Sequence, residues 1–472
     1  MPNGSDLASP GRTDSGILYP DVITKPRSPK GVLELLPSEQ AIHDAMLDTI
    51  RSGYRRFGFL PIETPVFELS DVLLTKGGGE TERQVYFVQS AGAMAQESAP
   101  DLALRFDLTV PLARYVAQHE HQLTFPFRRS QIQRVYRGER PQRGRYREFY
   151  QCDIDVLDRD DLSLRHDAEV AAAMIEILST LQIGTVTMRL NNRRLMRSLL
   201  SGVDVTNATD QADVLREIDK QERDGSDRVR AALVAGGMTP AGANRLLELT
   251  TTTATGPDEI LATLDDLAGG EAGSEELKQV VLTMRDMGVP PERYSLDLSI
   301  ARGLDYYTGT VYETVLDDHR ELGSICSGGR YDDLASQYTK TRLPGVGLSI
   351  GFTRLFWQLR EAALLPGHTA PIEVSVLLLD DGGLPYALDV AQRLRDAGIS
   401  TAISLEPDKL DRQLKNAGRS GVRFAAIAGD EERSLGTVTI KDLAGGHQVA
   451  VSLADVATHV RSRMSSGADT TS

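Results

Sequence analysis

Residues 136–151 read YRGERPQRGRYREFYQ, and this stretch decides how the chain is to be understood. A β-prone run lies on each side of it, at 132–137 and 147–156, and the segment between is rich in Gly, Pro and Arg. That pattern predicts a hairpin of two long strands joined by a long polar loop. Arg137 and Arg145 carry permanent charge and a planar fork of donors that suits phosphate oxygens. Glu139 can accept hydrogen bonds from a base or ribose edge, and Phe149 offers a flat stacking face. On two facing strands these groups describe a nucleotide seat without a P-loop. The same alternation of Arg and Glu also fits a salt-bridged hairpin on an exposed sheet, and composition alone leaves both readings open.

The surroundings narrow the class. Arg128, Arg129, Arg134, Arg137, Arg140, Arg143, Arg145 and Arg147 crowd into twenty positions of a chain whose net charge is -15. An acidic chain argues against generic nucleic-acid binding, whereas a local arginine cluster suggests a specific polyanion site. With 472 residues the chain has room for two to four domains. Its two cysteines, Cys152 and Cys326, exclude a disulfide framework and a four-cysteine zinc site, so no zinc is expected, and a reducing cytoplasmic setting is. No stretch approaches the ~18 unbroken apolar residues of a membrane span. The first residues lack the apolar core of a secretory signal; segments 1–18 and 465–472 are expected to be disordered.

Outward from the hairpin, Ile42, Met46, Leu47, Ile50 and Tyr54 fall at helical spacing after Pro37-Ser38, and Gly58 ends that helix. FLPIETPVFE (59–68) reads as a strand that two prolines confine to an edge or special contact. LALRFD is a short strand, followed by a helix after Pro111. A helix is expected over 164–181 and a strand in TVTMRL. Residues 203–285 change texture, becoming polar, Thr- and Gly-interrupted and helical. Alternation returns at 294–301, with strands at 310–316, near Ser324 and at 346–350. Short turns between neighbouring strands imply an antiparallel sheet. After PGHTAP a β-α-β-α-β order over 374–428 predicts a separate, mixed and largely parallel α/β domain. The fold class expected is therefore α+β: an antiparallel sheet flanked by helices, a helical insertion, and a C-terminal α/β domain.

Three further motifs carry chemistry. SIARGLDYYTGTVYE (299–313) places Arg302 before a glycine that permits close backbone approach. Adjacent Tyr306 and Tyr307 must face opposite ways on a strand, so one packs inward. SGGRYDD (327–333) is a glycine turn bearing Arg330. In PGVGLSIGFTRL (344–355), small residues let a strand lie close to a ligand, and Arg354 sits at a helix start. Each also fits ordinary strand and turn packing.

Taken together and in order, these segments resemble the histidyl-tRNA synthetase family over residues 30–460. RGERPQRGRYREFYQCD is similar to class II motif 2, GLSIGFTRL to motif 3, and the segment ending in TPVFE to motif 1. ARGLDYYTG and GGRYD resemble the two histidine-specific signatures, while LRFDLTVP and YQCDID resemble the wording common in archaeal and eukaryotic members. The resemblance implies a class II aminoacyl-tRNA synthetase that activates L-histidine with ATP and transfers it to tRNA(His). It implies a homodimer built on motif 1 and Mg²⁺ accompanying ATP, with no other metal. It implies a catalytic domain over 19–202 and 289–366, an insertion at 203–288, and an anticodon-binding domain at 370–464. By the same resemblance Arg137 holds the α-phosphate and the histidine carboxylate, and Arg145 and Arg354 the outer phosphates. Phe149 stacks on adenine and Glu139 reads its edge. Asp107, Thr109 and Gln151 hold the α-amino group. Asp155 and Tyr307 bond the imidazole, with Tyr306 beside them, and Arg302 serves as the catalytic cation. Thr353, Glu34 and Asp158 depart from the usual pattern. Two other readings are a regulatory paralogue that senses histidine without activating it, and a histidine-activating enzyme with a different acceptor. The C-terminal segment and the four motif arginines favour the ligase.

Overall fold

The structure is a computed structural model, and it describes residues 25–74, 84–96, 99–140, 144–218, 220–268, 272–300, 307–366 and 371–466. Arg143, Arg302, Tyr306 and the segment 1–18 lie outside the described residues.

The hairpin forms the spine of the molecule. Strands Phe127–Tyr136 and Glu148–Leu157 pair antiparallel over their full ten residues each. From there the sheet continues through Gly345–Gly351, Cys326–Tyr331, Thr310–Leu316 and Val186–Asn192, each antiparallel to the last. Parallel pairings flank this antiparallel centre on both sides: Leu60–Pro61 beside Arg129 and Ser130, and Tyr294–Asp297 beside Met188–Leu190. Thr253–Thr255 closes the far edge, giving nine strands. FLPIETPVFE is thus not one strand. It splits into Leu60–Pro61 and Phe67–Leu69, the latter in a separate three-stranded sheet with Leu102–Leu104 and Tyr86–Val88.

One face of the large sheet is covered by helices Pro37–Arg56 and Arg165–Thr180. Ile42, Met46, Ile50 and Tyr54 of the first meet Met174, Ile177 and Leu178 of the second, all buried at helical spacing. At Gly53 the two helices touch: a Cβ there would lie 2.5 Å from Ile177 Cγ1, so a side chain would push them apart. The helical segment between Ser201 and Tyr294 shares this core rather than building its own. Val280, Val281 and Met284 of Ala272–Asp286 belong to the same buried cluster as Met174 and Leu190. Gly273 packs so closely on the Arg193–Ser201 helix that a Cβ would lie 2.2 Å from Leu195 N.

The C-terminal part has its own core of Val374, Val376, Val390, Leu394, Phe424, Val438 and Val460. Its five strands run Thr401–Ile403, Val374–Leu377, Phe424–Ile427, Thr437–Asp442 and Gln448–Ser452 across the sheet. The first three are parallel and the last two antiparallel, so the expectation of a largely parallel sheet is corrected to an even mix. The two extra strands form a hairpin, which alternation in 437–452 could have shown.

Candidate active site

The sheet's open face carries a cavity of about 400 Å³. Its wall includes Asp107, Thr109, Arg137, Glu139, Arg145, Phe149, Gln151, Tyr307 and Arg354, brought together from four separate stretches of chain. The hairpin supplies most of them because a strand sends alternate side chains to one face. Phe149 and Gln151 thereby share a face with Asp153 and Asp155, which lie deeper in the sheet.

At one end the groups are acceptors. Asp107 precedes helix Thr109–His119, and its Oδ1 accepts the Val110 N–H at 3.1 Å, capping the helix that carries Thr109. Its other oxygen, Oδ2, is buried without a hydrogen-bond partner, and burial pushes the carboxyl up to about 6. Gln151 is similarly half-spent: Nε2 donates to Ser349 Oγ at 3.0 Å, while its buried Oε1 has no partner. Two unpaired buried acceptors on one cavity form a seat for a donor-rich cation, because each costs free energy until it is bonded.

At the other end the groups are cations. Arg137 is fixed by its Nε, which donates to Phe106 O at 3.0 Å, and its guanidinium lies 5.1 Å from the Phe149 ring centre. Arg145 remains half exposed and meets Glu139 at 3.7 Å. Arg354, at the start of helix Phe352–Glu361, donates through Nη2 to Leu322 O at 3.2 Å. Thr353 beside it is buried and does not stand idle: its Oγ1 accepts the Tyr150 N–H at 2.8 Å and ties this helix to the hairpin. A hydroxyl thus performs the join at a position where an acidic residue is usual in the family.

Other expectations change. Asp155 does not reach the cavity wall. Its Oδ2 lies 2.7 Å from Arg129 Nη2, and its Oδ1 accepts the Tyr331 hydroxyl at 2.6 Å. Burial pushes its carboxyl up to about 7. Two glycines of PGVGLSIG, Gly345 and Gly347, make room for these neighbours, while the third, Gly351, lies on the cavity wall with open space beside it. A Cβ on Gly347 would sit 2.1 Å from Asp155 Oδ1, and one on Gly345 would sit 2.4 Å from the Tyr331 ring. Arg330 turns away from the cavity to bind Asp167 and Leu162 O. The arginine cluster is likewise divided: Arg128 pairs with Glu169, Arg134 with Glu148, and Arg147 bonds Glu139 O, leaving Arg137 and Arg145 to the cavity.

Sequence reading missed Ser327, Ser349, Tyr312 and Glu313 on the wall, and Arg129 and Tyr331 behind it. Arg129 had a signal. In the hairpin register it stands directly opposite Asp155, but that register depends on the loop length.

An antiparallel sheet with motif arginines on its open face, joined to a second α/β unit, defines a class II aminoacyl-tRNA synthetase. The histidyl-tRNA synthetase family model matches residues 31–355, and an anticodon binding domain model matches 373–463. The chain is 55% identical to the histidine–tRNA ligase of Stenotrophomonas maltophilia, over 91% of this chain and 96% of that one. It is 54% identical to the histidine–tRNA ligase of Xylella fastidiosa, over 90% and 96% respectively. The crystal structure of histidyl-tRNA synthetase from Nostoc sp. PCC 7120 superposes with a TM-score of 0.84 at 37% identity, covering 93% of this chain and all of that one. The chain belongs to the histidyl-tRNA synthetase family.

Proposed function

We propose that the cavity binds histidine at its Asp107–Gln151–Tyr307 end and ATP at its Arg137–Arg145–Arg354 end, and that the enzyme joins them before passing histidine to tRNA(His). The observation that carries this reading is the pair of buried, unpartnered acceptors, Asp107 Oδ2 and Gln151 Oε1, in a cavity whose other wall bears three guanidiniums. An α-ammonium supplies the missing donors, with Thr109 beside it. A carboxylate leaving that seat points toward Arg137. A carboxylate oxygen of histidine attacks the α-phosphorus, the bond to the β-phosphate bridging oxygen breaks, and pyrophosphate leaves with the electron pair. The ribose hydroxyl of the tRNA 3′ end then attacks the histidyl carbonyl and AMP departs.

This chemistry asks for positioning and charge stabilisation rather than a protein nucleophile. Arg137 bridges the α-phosphate and the carboxylate, while Arg145 and Arg354 hold the outer phosphates. Glu139 and Phe149 take the adenine, Phe149 through the ring face that Arg137 does not cover. Mg²⁺ arrives on the triphosphate as part of the substrate. Tyr307 meets the imidazole, with Asp155 acting from behind through Tyr331. Arg302 as a catalytic cation and Tyr306 in the histidine pocket rest on the family resemblance.

Val66, Phe67 and Leu69 are exposed at and just after motif 1, and Phe87 is exposed in the same three-stranded sheet, apolar surface that suits a homodimer. No described helix is long and apolar enough to cross a membrane, and a cytoplasmic setting suits the tRNA substrate.

The test is histidine-dependent ATP–pyrophosphate exchange followed by charging of tRNA(His). Both are expected. Absence of exchange overturns the ligase in favour of a histidine sensor, and exchange without charging points to another acceptor.

A further inference from the structure

Behind the amino-acid end lies a charge group of which the reaction as described uses only Asp155. Arg129 is wholly buried in the middle of the sheet. Its Nη2 lies 2.7 Å from Asp155 Oδ2 and 3.8 Å from Asp153 Oδ2. Neither Nε nor Nη1 has a hydrogen-bond partner, the Nη2 contact is too bent to count as one, and Asp153 Oδ1 is also unpartnered. A buried ion pair that served stability would spend its donors, because each unspent one keeps its desolvation cost.

The arrangement makes sense as charge arithmetic. Asp107, Asp153 and Asp155 share two guanidiniums, those of Arg129 and Arg137, so with all three ionised the group holds one negative charge in excess, and burial pushes all three carboxyls up. One cationic ligand group brings it to zero. We propose that Arg129, which does not touch the cavity, is a positioning residue that sets this count: its single charge is shared by Asp153 and Asp155 and holds both back in the sheet, which leaves Asp107 as the carboxylate on the cavity that takes the α-ammonium of histidine. The inference rests on the histidine reading of the cavity given above. Arg129 also holds Asp155 where the Tyr331 hydroxyl can donate to it, and so fixes the wall behind Tyr307.

The experiment uses the full chain and reads KM for histidine and KM for ATP separately in ATP–pyrophosphate exchange. Wild type is run first, and if it shows no histidine-dependent exchange, the functional reading fails before this one is tested. Arg129→Met is expected to raise the histidine KM about tenfold or more while the ATP KM stays within about twofold, since Asp153 and Asp155, left without their shared cation, no longer hold the wall behind Tyr307 and compete with Asp107 for the ammonium. Arg129→Lys, which keeps the charge, is expected to recover most of the loss. The double variant Arg129→Met with Asp153→Asn returns the count to −1 and is expected to bring the histidine KM back to within about threefold of wild type. If the double variant is worse than the single, or if both KM values rise together, the charge-setting role is overturned. Should Arg129→Met fail to fold, the double variant decides, because its net buried charge equals that of wild type.

Discussion

Two buried arginine–aspartate systems stand in the catalytic sheet, and they are built in opposite ways. In the first, Arg330 Nε and Nη2 both donate to Asp167, and Nη2 also donates to Leu162 O at 2.9 Å. The Tyr312 hydroxyl closes the group by donating to Asp167 O at 2.9 Å. This pair fastens strand Cys326–Tyr331 to the start of helix Arg165–Thr180 and is almost fully bonded. In the second, Arg129 faces two carboxylates with its hydrogen-bond donors unspent, next to a cavity that holds further unpaired acceptors. Saturated polar groups fix a fold, whereas unsaturated ones beside a cavity keep their cost until a ligand arrives. The contrast separates structural from functional charge better than burial does, for all of these side chains are buried.

The comparison breaks first at Arg330. Arg330→Met leaves Asp167 as an uncompensated buried charge, and a loss of about 3–5 kcal/mol in unfolding free energy is expected from denaturant titration. The histidine and ATP KM values of the molecules that remain folded should stay near wild type. A large change in KM with unchanged stability would erase the distinction between the two systems.

Asp107→Asn sharpens the other side. It removes the charge that meets the ammonium while keeping the oxygen that caps Val110, so histidine binding should weaken by about 1.5–3 kcal/mol, or roughly 10–150-fold. Calorimetric titration with histidine checks it. Stability moves the other way with pH. The folded carboxyl titrates at about 6 because burial disfavours its charge, against ~4 when unfolded. The native state therefore binds more protons across that window, and its stability falls as pH rises from ~4 to ~6, then levels. The asparagine variant lacks this loss, so relative to wild type it should gain stability over the same window, by at most about 3 kcal/mol. A difference independent of pH would show that Asp107 is not desolvated as described.

The smallest structural effect is expected at Arg145. Its pair with Glu139 is half exposed and 3.7 Å long, so Arg145→Ala should change stability by less than about 0.5 kcal/mol. The ATP KM should nevertheless rise severalfold, measured by pyrophosphate exchange, with the histidine KM little changed.

Local signals in the chain were enough for much of this. The β-prone runs at 132–137 and 147–156 and the Gly/Pro/Arg loop between them predicted the hairpin, whose first strand starts earlier, at Phe127, and the periodicity of Ile42, Met46, Ile50 and Tyr54 predicted the helix beneath it. Motif residues such as Arg137, Arg145 and Phe149 could be named because their side-chain types and spacing are chemically particular, whereas Gln151 came only from the family resemblance. The parallel flanks of the sheet, its Thr253–Thr255 edge and the shared core of the helical segment had no such signal. They depend on partners more than about thirty residues away, and sequence spacing says nothing of register across such distances.

The sequence by itself therefore determined the central hairpin and most of the helices, which residue types are available for ATP and histidine, and the family to which the chain belongs. Only the tertiary structure decided which arginine does which task. Arg128, Arg129, Arg134, Arg137 and Arg330 look alike in the chain, yet one reaches the cavity, one stands behind it and three are spent on carboxylates elsewhere. The reason is physical: a guanidinium's role is set by the carboxylates and carbonyls that surround it and by its distance from water, and strand pairing between remote segments assembles those surroundings.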